Sequence, residues 1–386
     1  MTTGNDIPEL IESERAFERF LDAVEPLDRI AVDTEGNSMH AYKERLCLIQ
    51  VGSADRTWLL DPLGDVDLGP FFDRLEDPAT TKVFHDAEFD VLQLGRSYDV
   101  RLAGLFDTKV AAVALGEPTV GLAAVVERYF GVALDKAQQR SDWAKRPLTD
   151  KQIRYAGLDV RYLVALSERL EGRIAAAAPV VRLEFESECR RLEAMDVRPA
   201  PRDPLAWFHV KGVSRLRGIE LTLARELWRW RERAAERADD PPFRVFGNAL
   251  LVELARVAPR TSAELSRCPH LPGRFVSRYG KEVLDVIAAG LELDPLARPK
   301  TDDRHRKDKL VREDDRDVYD RLKRWRKDVA GMRPTDPSLV LNREVMEALA
   351  AYRPRPDSLE SLRDTDLLEP WRVEQYGVAI VAAIVG

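Results

Sequence analysis

Residues Arg29-Ile30-Ala31-Val32-Asp33-Thr34-Glu35 constrain this chain more than any other stretch. Ile30, Ala31 and Val32 form an apolar run between Asp28 and Gly36, too brief for a helix, and read as a buried strand. Side chains alternate across a strand, so Asp33 and Glu35 project from the same face. Two carboxylates side by side on a sheet repel each other and lose hydration, and a divalent cation between them is the usual compensation. Taken alone, a D-x-E pair more often marks a polar strand end in a turn. The residues that follow change that reading.

Residues 8–25 read as a short amphipathic helix leading into this strand. Leu46–Val51 and Thr57–Leu60 are two further strands, spaced closely enough for an antiparallel meander beside the first. A helix over 70–76 and a fourth strand, Lys82-Val83-Phe84, lead into His85-Asp86. From Phe89 the pattern is helical, and helices alternate with short connections to about residue 195. The expected class is α/β, a mixed sheet with helices packed on it. Asp90 lies in the first turn after the fourth strand, where the helix dipole alone favours an acid, and composition does not separate it from Asp86 or Glu88. Further on, Lys136, Arg140, Lys145 and Arg146 surround Trp143 in a cationic stretch that stops at Pro147. Thr149 and Gln152 then form a capping-box pattern opening a helix with Ile153, Ala156, Val160, Leu163, Val164 and Leu166 on its apolar side. On it, Tyr155 and Asp159 stand at i and i+4, one above the other.

The ordered set D-x-E on a strand, Phe-Asp after a later strand and Tyr-x-x-x-Asp on a helix resembles the DEDD exonuclease superfamily, in its tyrosine variant. Lys136, Arg140-Ser141-Asp142-Trp143, Arg146-Pro147-Leu148-Thr149, Gln152 and Tyr155-Ala156 look like the bacterial ribonuclease D branch. The resemblance spans roughly residues 7–200 and implies an α/β ribonuclease H-like exonuclease domain over 1–200. One departure is Gly36-Asn37-Ser38-Met39-His40, where the family often has an aromatic residue directly after D-x-E. By resemblance the activity is 3′→5′ hydrolysis of RNA with two divalent cations, Mg²⁺ or Mn²⁺. Asp33, Glu35 and Asp159 would hold the first, Asp33 would bridge to the second, and Asp90 would support the second. Tyr155 would orient the attacking water. The expected substrate contacts are Thr34, His85, Lys136, Arg140, Trp143 and Arg146, with Trp143 stacking on a base. Precursor tRNA 3′ ends are the implied RNA, without a membrane partner.

Beyond residue 200 an internal repeat is visible: Trp230-Arg231 matches Trp325-Arg326 at an offset of 95, and Tyr279-Gly280 matches Tyr376-Gly377 at 97. Two small all-α units follow, over 205–292 and 311–386, and resemble HRDC domains. Proline-bearing linkers are expected at 196–204 and Pro295–Asp308. The net charge of −7 does not exclude nucleic acid, because it is unevenly spread. Residues 1–204 carry 26 Lys+Arg against 37 Asp+Glu, whereas 205–292 carry 15 against 11 and 293–386 carry 19 against 19. Arg225, Arg229 and Arg233 predict a basic strip on the first unit, so that unit is expected to bind RNA and the second to supply packing or a partner surface. Three distant cysteines and the lack of any membrane-length apolar run or signal core point to the cytoplasm. A DNA 3′→5′ exonuclease and a catalytically silent RNA-binding adaptor are the competing readings. No G-x-x-x-x-G-K-[ST] phosphate loop is present.

Overall fold

The structure is a computed structural model. It describes residues 7–135, 137–199, 203–271, 274–299, 313–333 (side chains from Asp315) and 335–386. Two compact units emerge. One comprises 1–36, 46–198 and 303–386, the other 37–45 and 199–302.

The first unit is built on a six-stranded mixed sheet, order β1-β4-β3-β2-β5-β6: β1 Glu9–Ile11, β2 Arg29–Gly36, β3 Leu46–Gly52, β4 Thr57–Leu60, β5 Thr81–Phe84 and β6 Leu105–Asp107. The β2-β3-β4 meander is antiparallel as expected, while β5 runs parallel to β2 and β6 parallel to β5. The expected helix over 8–25 is corrected at its start. Glu9–Ile11 pair in parallel with β4, and the helix, α1 Glu14–Val24, begins only after Ser13, whose side chain caps it. The strand β6 interrupts what reads as continuous helix and connection.

Around the sheet lie α2 Gly69–Glu76, α3 Glu88–Tyr98, α4 Thr108–Ala114, α5 Leu122–Phe130, α6 Asp150–Arg161, α7 Leu163–Ala176 and α8 Pro179–Glu193. The long helix expected after Thr149 breaks at Tyr162 into α6 and α7. The first half of the expected 196–204 linker is packed: Val197 is buried and fills the space a side chain at Gly95 would need. Residues 200–202 of that linker lie outside the described residues.

The helical repeat belongs partly to each unit. The 199–302 segment holds α9 Gly218–Ala238, α10 Pro242–Val245, α11 Asn248–Val257, α12 Ser262–Leu265 and α13 Phe275–Leu291. The C-terminal segment holds α14 Glu313–Gly331, α15 Pro337–Val340, α16 Arg343–Ala351, α17 Leu359–Arg363 and α18 Pro370–Val385. The repeated residues are core staples. Trp230 meets Tyr279 edge-on at 5.5 Å, and Trp325 meets Tyr376 edge-on at 5.7 Å. Arg231 donates to the Phe246 carbonyl and Arg326 to the Leu341 carbonyl, again 95 residues apart. The start of the Pro295–Asp308 linker is tied to α9, since Thr222 Oγ1 donates to Asp294 O and accepts from Leu296 N. Residues 300–312 lie outside the described residues.

Within the first unit, α8 packs against the C-terminal helices. Glu184 is wholly buried and accepts from Arg333 and from the Tyr376 hydroxyl, while Arg372 donates to Ser187 Oγ. The second helical copy, expected to supply packing or a partner surface, makes these packing contacts with α8. All three cysteines are buried, and among the described residues no helix is long and apolar enough to cross a membrane.

Candidate metal-dependent active site

The site assembles where α6 crosses the centre of the sheet. Asp33 and Glu35 leave β2 on the face covered by α6. Their register partners on β3, Gln50 and Leu48, share that face, and Leu48 packs with Ala156 of α6. Helix α6 is positioned at both ends of its contact. A capping box joins Thr149 to Gln152 at its start. Further along, Gly52 of β3 leaves room for it, because a Cβ there would stand 2.9 Å from the Val160 carbonyl oxygen. That close approach brings Asp159 over β2. Carboxylate oxygens of Asp33, Glu35 and Asp159 lie within 4.8 Å of one another.

Three carboxylates in so small a volume resist ionisation together. Burial, offset in part by the Thr34 backbone N–H, pushes Asp33 up to about 7. Burial and then the Asp33 charge push Asp159 up to about 8, against the lowering hydrogen bond from Tyr155. Glu35 rises to about 10 through burial and the charges of Asp33, Asp159 and Asp90. An all-oxygen donor set that must hold protons when empty of countercharge fits a hard divalent cation.

Asp90 stands beside this group, and the structure separates it from its acidic neighbours. Asp86 is exposed and pairs with Lys109, and Glu88 is exposed 3.9 Å from Arg191. Asp90 is 4% exposed, and Thr34 Oγ1 donates to its Oδ1 at 2.6 Å. Burial and the Asp33 charge hold Asp90 well above the usual carboxylate range. Its helix enters through a turn in which Asp86 adopts φ 73°. That turn is pinned by a residue the sequence reading missed. The buried Asp107 carboxylate accepts from the backbone N–H groups of Asp86 (3.1 Å) and Ala87 (2.7 Å), and also caps α4 at Lys109 and Val110. An Asp-Thr pair opening a helix is the available signal for such a cap.

Tyr155 donates its hydroxyl to Asp159. Burial first, then the Asp159, Glu35 and Asp33 charges, raise the phenol above its ordinary value, so it stays protonated. Trp143 packs behind it, ring centroids 6.1 Å apart.

Comparison with known proteins agrees with this geometry. Residues 8–175 match the 3′-5′ exonuclease family, and residues 220–287 and 315–384 match the HRDC domain family. Ribonuclease D of Pseudomonas paraeruginosa is 32% identical over 368 residues, 92% of either chain. Ribonuclease D of Escherichia coli is 33% identical over 300 residues, 75% of this chain and 77% of that one. The chain belongs to the ribonuclease D family. The crystal structure of the Escherichia coli enzyme superposes with a TM-score of 0.65 at 26% identity, covering 98% of each chain. The protein is a 3′→5′ exoribonuclease of that family, which uses divalent metals at its carboxylates.

Several expected substrate contacts have other duties in this ribonuclease D relative. Trp143 is 1% exposed, so it supports Tyr155 from inside and is not an exposed stacking surface. Arg146 is committed to a two-bond pair with Asp61 (2.5 and 2.6 Å) and to the carbonyls of Trp143 and Cys47. Thr34 is buried, with its hydroxyl turned inward to Asp90. His85 Nδ1 sits 2.9 Å from Thr108 Oγ1, whose own hydrogen goes to Phe84 O, and burial lowers the imidazole pKa, so the ring stays neutral. Lys136 lies outside the described residues. In the helical segment, Arg229 and Arg233 of α9 are exposed, whereas Arg225 is partly buried against Glu226.

Proposed function

We propose that the protein trims structured RNA, such as the 3′ trailers of precursor tRNA, releasing nucleoside 5′-monophosphates in the cytoplasm with the help of two Mg²⁺ or Mn²⁺ ions. The observation that carries this reading is the convergence of Asp33, Glu35 and Asp159 within 4.8 Å. The Escherichia coli relative is described as an exoribonuclease involved in structured RNA processing, which supports the choice of substrate.

Asp33, Glu35 and Asp159 would hold one cation, and Asp33 with Asp90 the other. Divalent cations at such sites supply Lewis acidity that activates water and stabilises the leaving 3′ oxygen of an in-line displacement. The chain's own residues do the rest. Thr34 and Asp107 keep Asp90 in place. Tyr155, protonated and braced by Trp143, orients the attacking water by its hydroxyl and leaves the base function to other groups, because its pKa is raised. Arg140, which is exposed, remains the proposed substrate contact. Residues 1–200 would form the exonuclease domain. The helical domains over 205–292 and 311–386 would hold substrate through the exposed Arg229 and Arg233 and brace α8, respectively.

The test is a time course on a 3′-extended precursor tRNA, an unstructured RNA and its DNA counterpart, with Mn²⁺ or Mg²⁺ and with chelator. Nucleoside 5′-monophosphates from both RNAs, trimming that slows near the mature tRNA end and silence in chelator are expected. DNA degraded as fast as RNA, or 3′-phosphate products, would contradict it.

A further inference from the structure

Gln50 is an anomaly at the centre of the site. It is 0% exposed, and among the described residues neither its Oε1 nor its Nε2 has a hydrogen-bond partner. A glutamine amide offers two donors and an acceptor oxygen, and each buried group left unmade costs about 1–3 kcal/mol. Its surroundings give no packing reason for an amide. Along β3 the α6-facing positions are Leu48, Gln50 and Gly52, and the register partner on β4 is Leu59. Leucine or methionine would fill such a position without orphaned atoms.

The register shows what the amide is for. On β2 the residue directly opposite Gln50 is Asp33. Facing residues on antiparallel strands project to the same side with Cβ atoms about 4.5–5.5 Å apart. The amide of Gln50 therefore lies in the layer between β2 and α6, flanked by Gly52 beneath Val160 and by Leu48 beneath Ala156. The backbone N–H of Thr34 supports the Asp33 carboxylate. A carboxylate that ligates a metal has lone pairs left over, and these are normally hydrogen-bonded by a neighbouring group.

We propose that Gln50 is a positioning residue of the carboxylate site, its Nε2 donating to the Asp33 carboxylate when a cation is bound. The proposal rests on the reading of Asp33, Glu35 and Asp159 as cation ligands. The buried amide, without another partner among the described residues, would find one in that carboxylate. A buried amide costs a little stability and gives Asp33 a fixed orientation in return.

The experiment compares the full-length wild type with Gln50→Met, which keeps the unbranched shape, and Gln50→Leu. Three quantities are read: thermal unfolding in chelator, Mn²⁺ affinity from the free-ion electron paramagnetic resonance signal, and kcat and KM on a short RNA. In chelator the variants are expected to melt at or above the wild-type temperature. Their Mn²⁺ affinity should fall roughly 10–100-fold, as for other lost supports of a metal ligand. The kcat at fixed Mn²⁺ should fall with KM for RNA within twofold. Combined with Asp33→Asn, the loss of Mn²⁺ affinity should be non-additive, because the amide acts through that carboxylate. Mn²⁺ affinity and kcat within twofold of wild type in Gln50→Met would overturn the proposal. So would losses that add to those of Asp33→Asn, or a lowered melting temperature in chelator for both variants. A wild type that binds no Mn²⁺ in the same titration overturns the cation reading itself, so the two failures are distinguishable.

Discussion

Gly52→Ala tests how the fold places Asp159. The position is extended and needs no glycine for its backbone, so the substitution acts only through the added methyl group. That carbon would stand 2.9 Å from the Val160 carbonyl oxygen, 3.2 Å from Val160 Cβ and 3.3 Å from Ala31 Cβ. Two of the three neighbours belong to α6, and the nearest is backbone, which a rotamer change cannot move. Restoring ordinary contact requires α6 to lift by roughly 0.5 Å. Overpacking of this kind costs about 1–3 kcal/mol. Asp159 precedes Val160 on the same turn and moves with it, leaving the geometry it shares with Asp33 and Glu35. Catalytic groups tolerate roughly 0.5 Å of displacement, and 1 Å costs about 10²-fold, so a loss in kcat of about tenfold is expected. Single-turnover release of a 3′-terminal nucleotide at saturating Mn²⁺, together with urea unfolding, measures both effects. Gly172→Ala is the control: in α7 its methyl group meets nothing within 4 Å, so it should gain about 0.4–1 kcal/mol and leave turnover unchanged. A Gly52→Ala protein with kcat within twofold of wild type would refute the claim that the contact with β3 sets Asp159.

Other perturbations separate the remaining contributions. Tyr155→Phe should lower kcat by about 10² with little change in stability or KM; equal losses in turnover and stability would mark Tyr155 as structural. Burial holds Asp33, Glu35 and Asp159 above their ordinary values, so the cation-free fold retains protons that the unfolded chain releases near pH 4. Their contribution is intact below about pH 4 and lost as pH rises through about 7–10, so the thermal shift produced by Mn²⁺ should grow from pH 6 to pH 9; a constant shift would contradict the shared protonation. Arg333→Met strips the buried Glu184 of its cation and should cost about 3 kcal/mol in urea unfolding, most of it recovered by adding Glu184→Gln.

The parts of the site legible in sequence are those whose spacing is local. D-x-E on a strand puts two carboxylates on one face by alternation, and Tyr155 and Asp159 share a helix face by the i, i+4 rule. Asp90 was recognisable only by resemblance, because what distinguishes it from Asp86 and Glu88 is burial against Thr34, 56 residues away in the chain. The same limit misled the reading of the cationic loop. Composition shows that Trp143 and Arg146 are aromatic and basic, yet Arg146 faces inward because Asp61, 85 residues earlier, waits to receive it. The strands β1 and β6, three residues each, are too short to display alternation. Asp107 and Gly52 carry weak signals, a helix-opening Asp-Thr and a glycine inside an apolar strand, that acquire meaning once the neighbouring element is in place. The Trp-Arg and Tyr-Gly repeats were visible as repeats, and the structure shows that they hold each helical copy together from within.

The central claim is that Asp33 binds the cation on which hydrolysis depends. Release of a single 3′-labelled nucleotide should be followed under single-turnover conditions for wild type, Asp33→Asn and Asp86→Asn at saturating Mn²⁺, with RNA binding measured in parallel by fluorescence anisotropy. Asp33→Asn keeps the size of the side chain and removes its charge, so cleavage should fall by about 10³ or more, as when charge stabilisation at the reacting centre is lost, while RNA binding is retained. Asp86→Asn, altering an exposed carboxylate paired with Lys109, should cleave like wild type. Cleavage by Asp33→Asn within tenfold of wild type would contradict the claim.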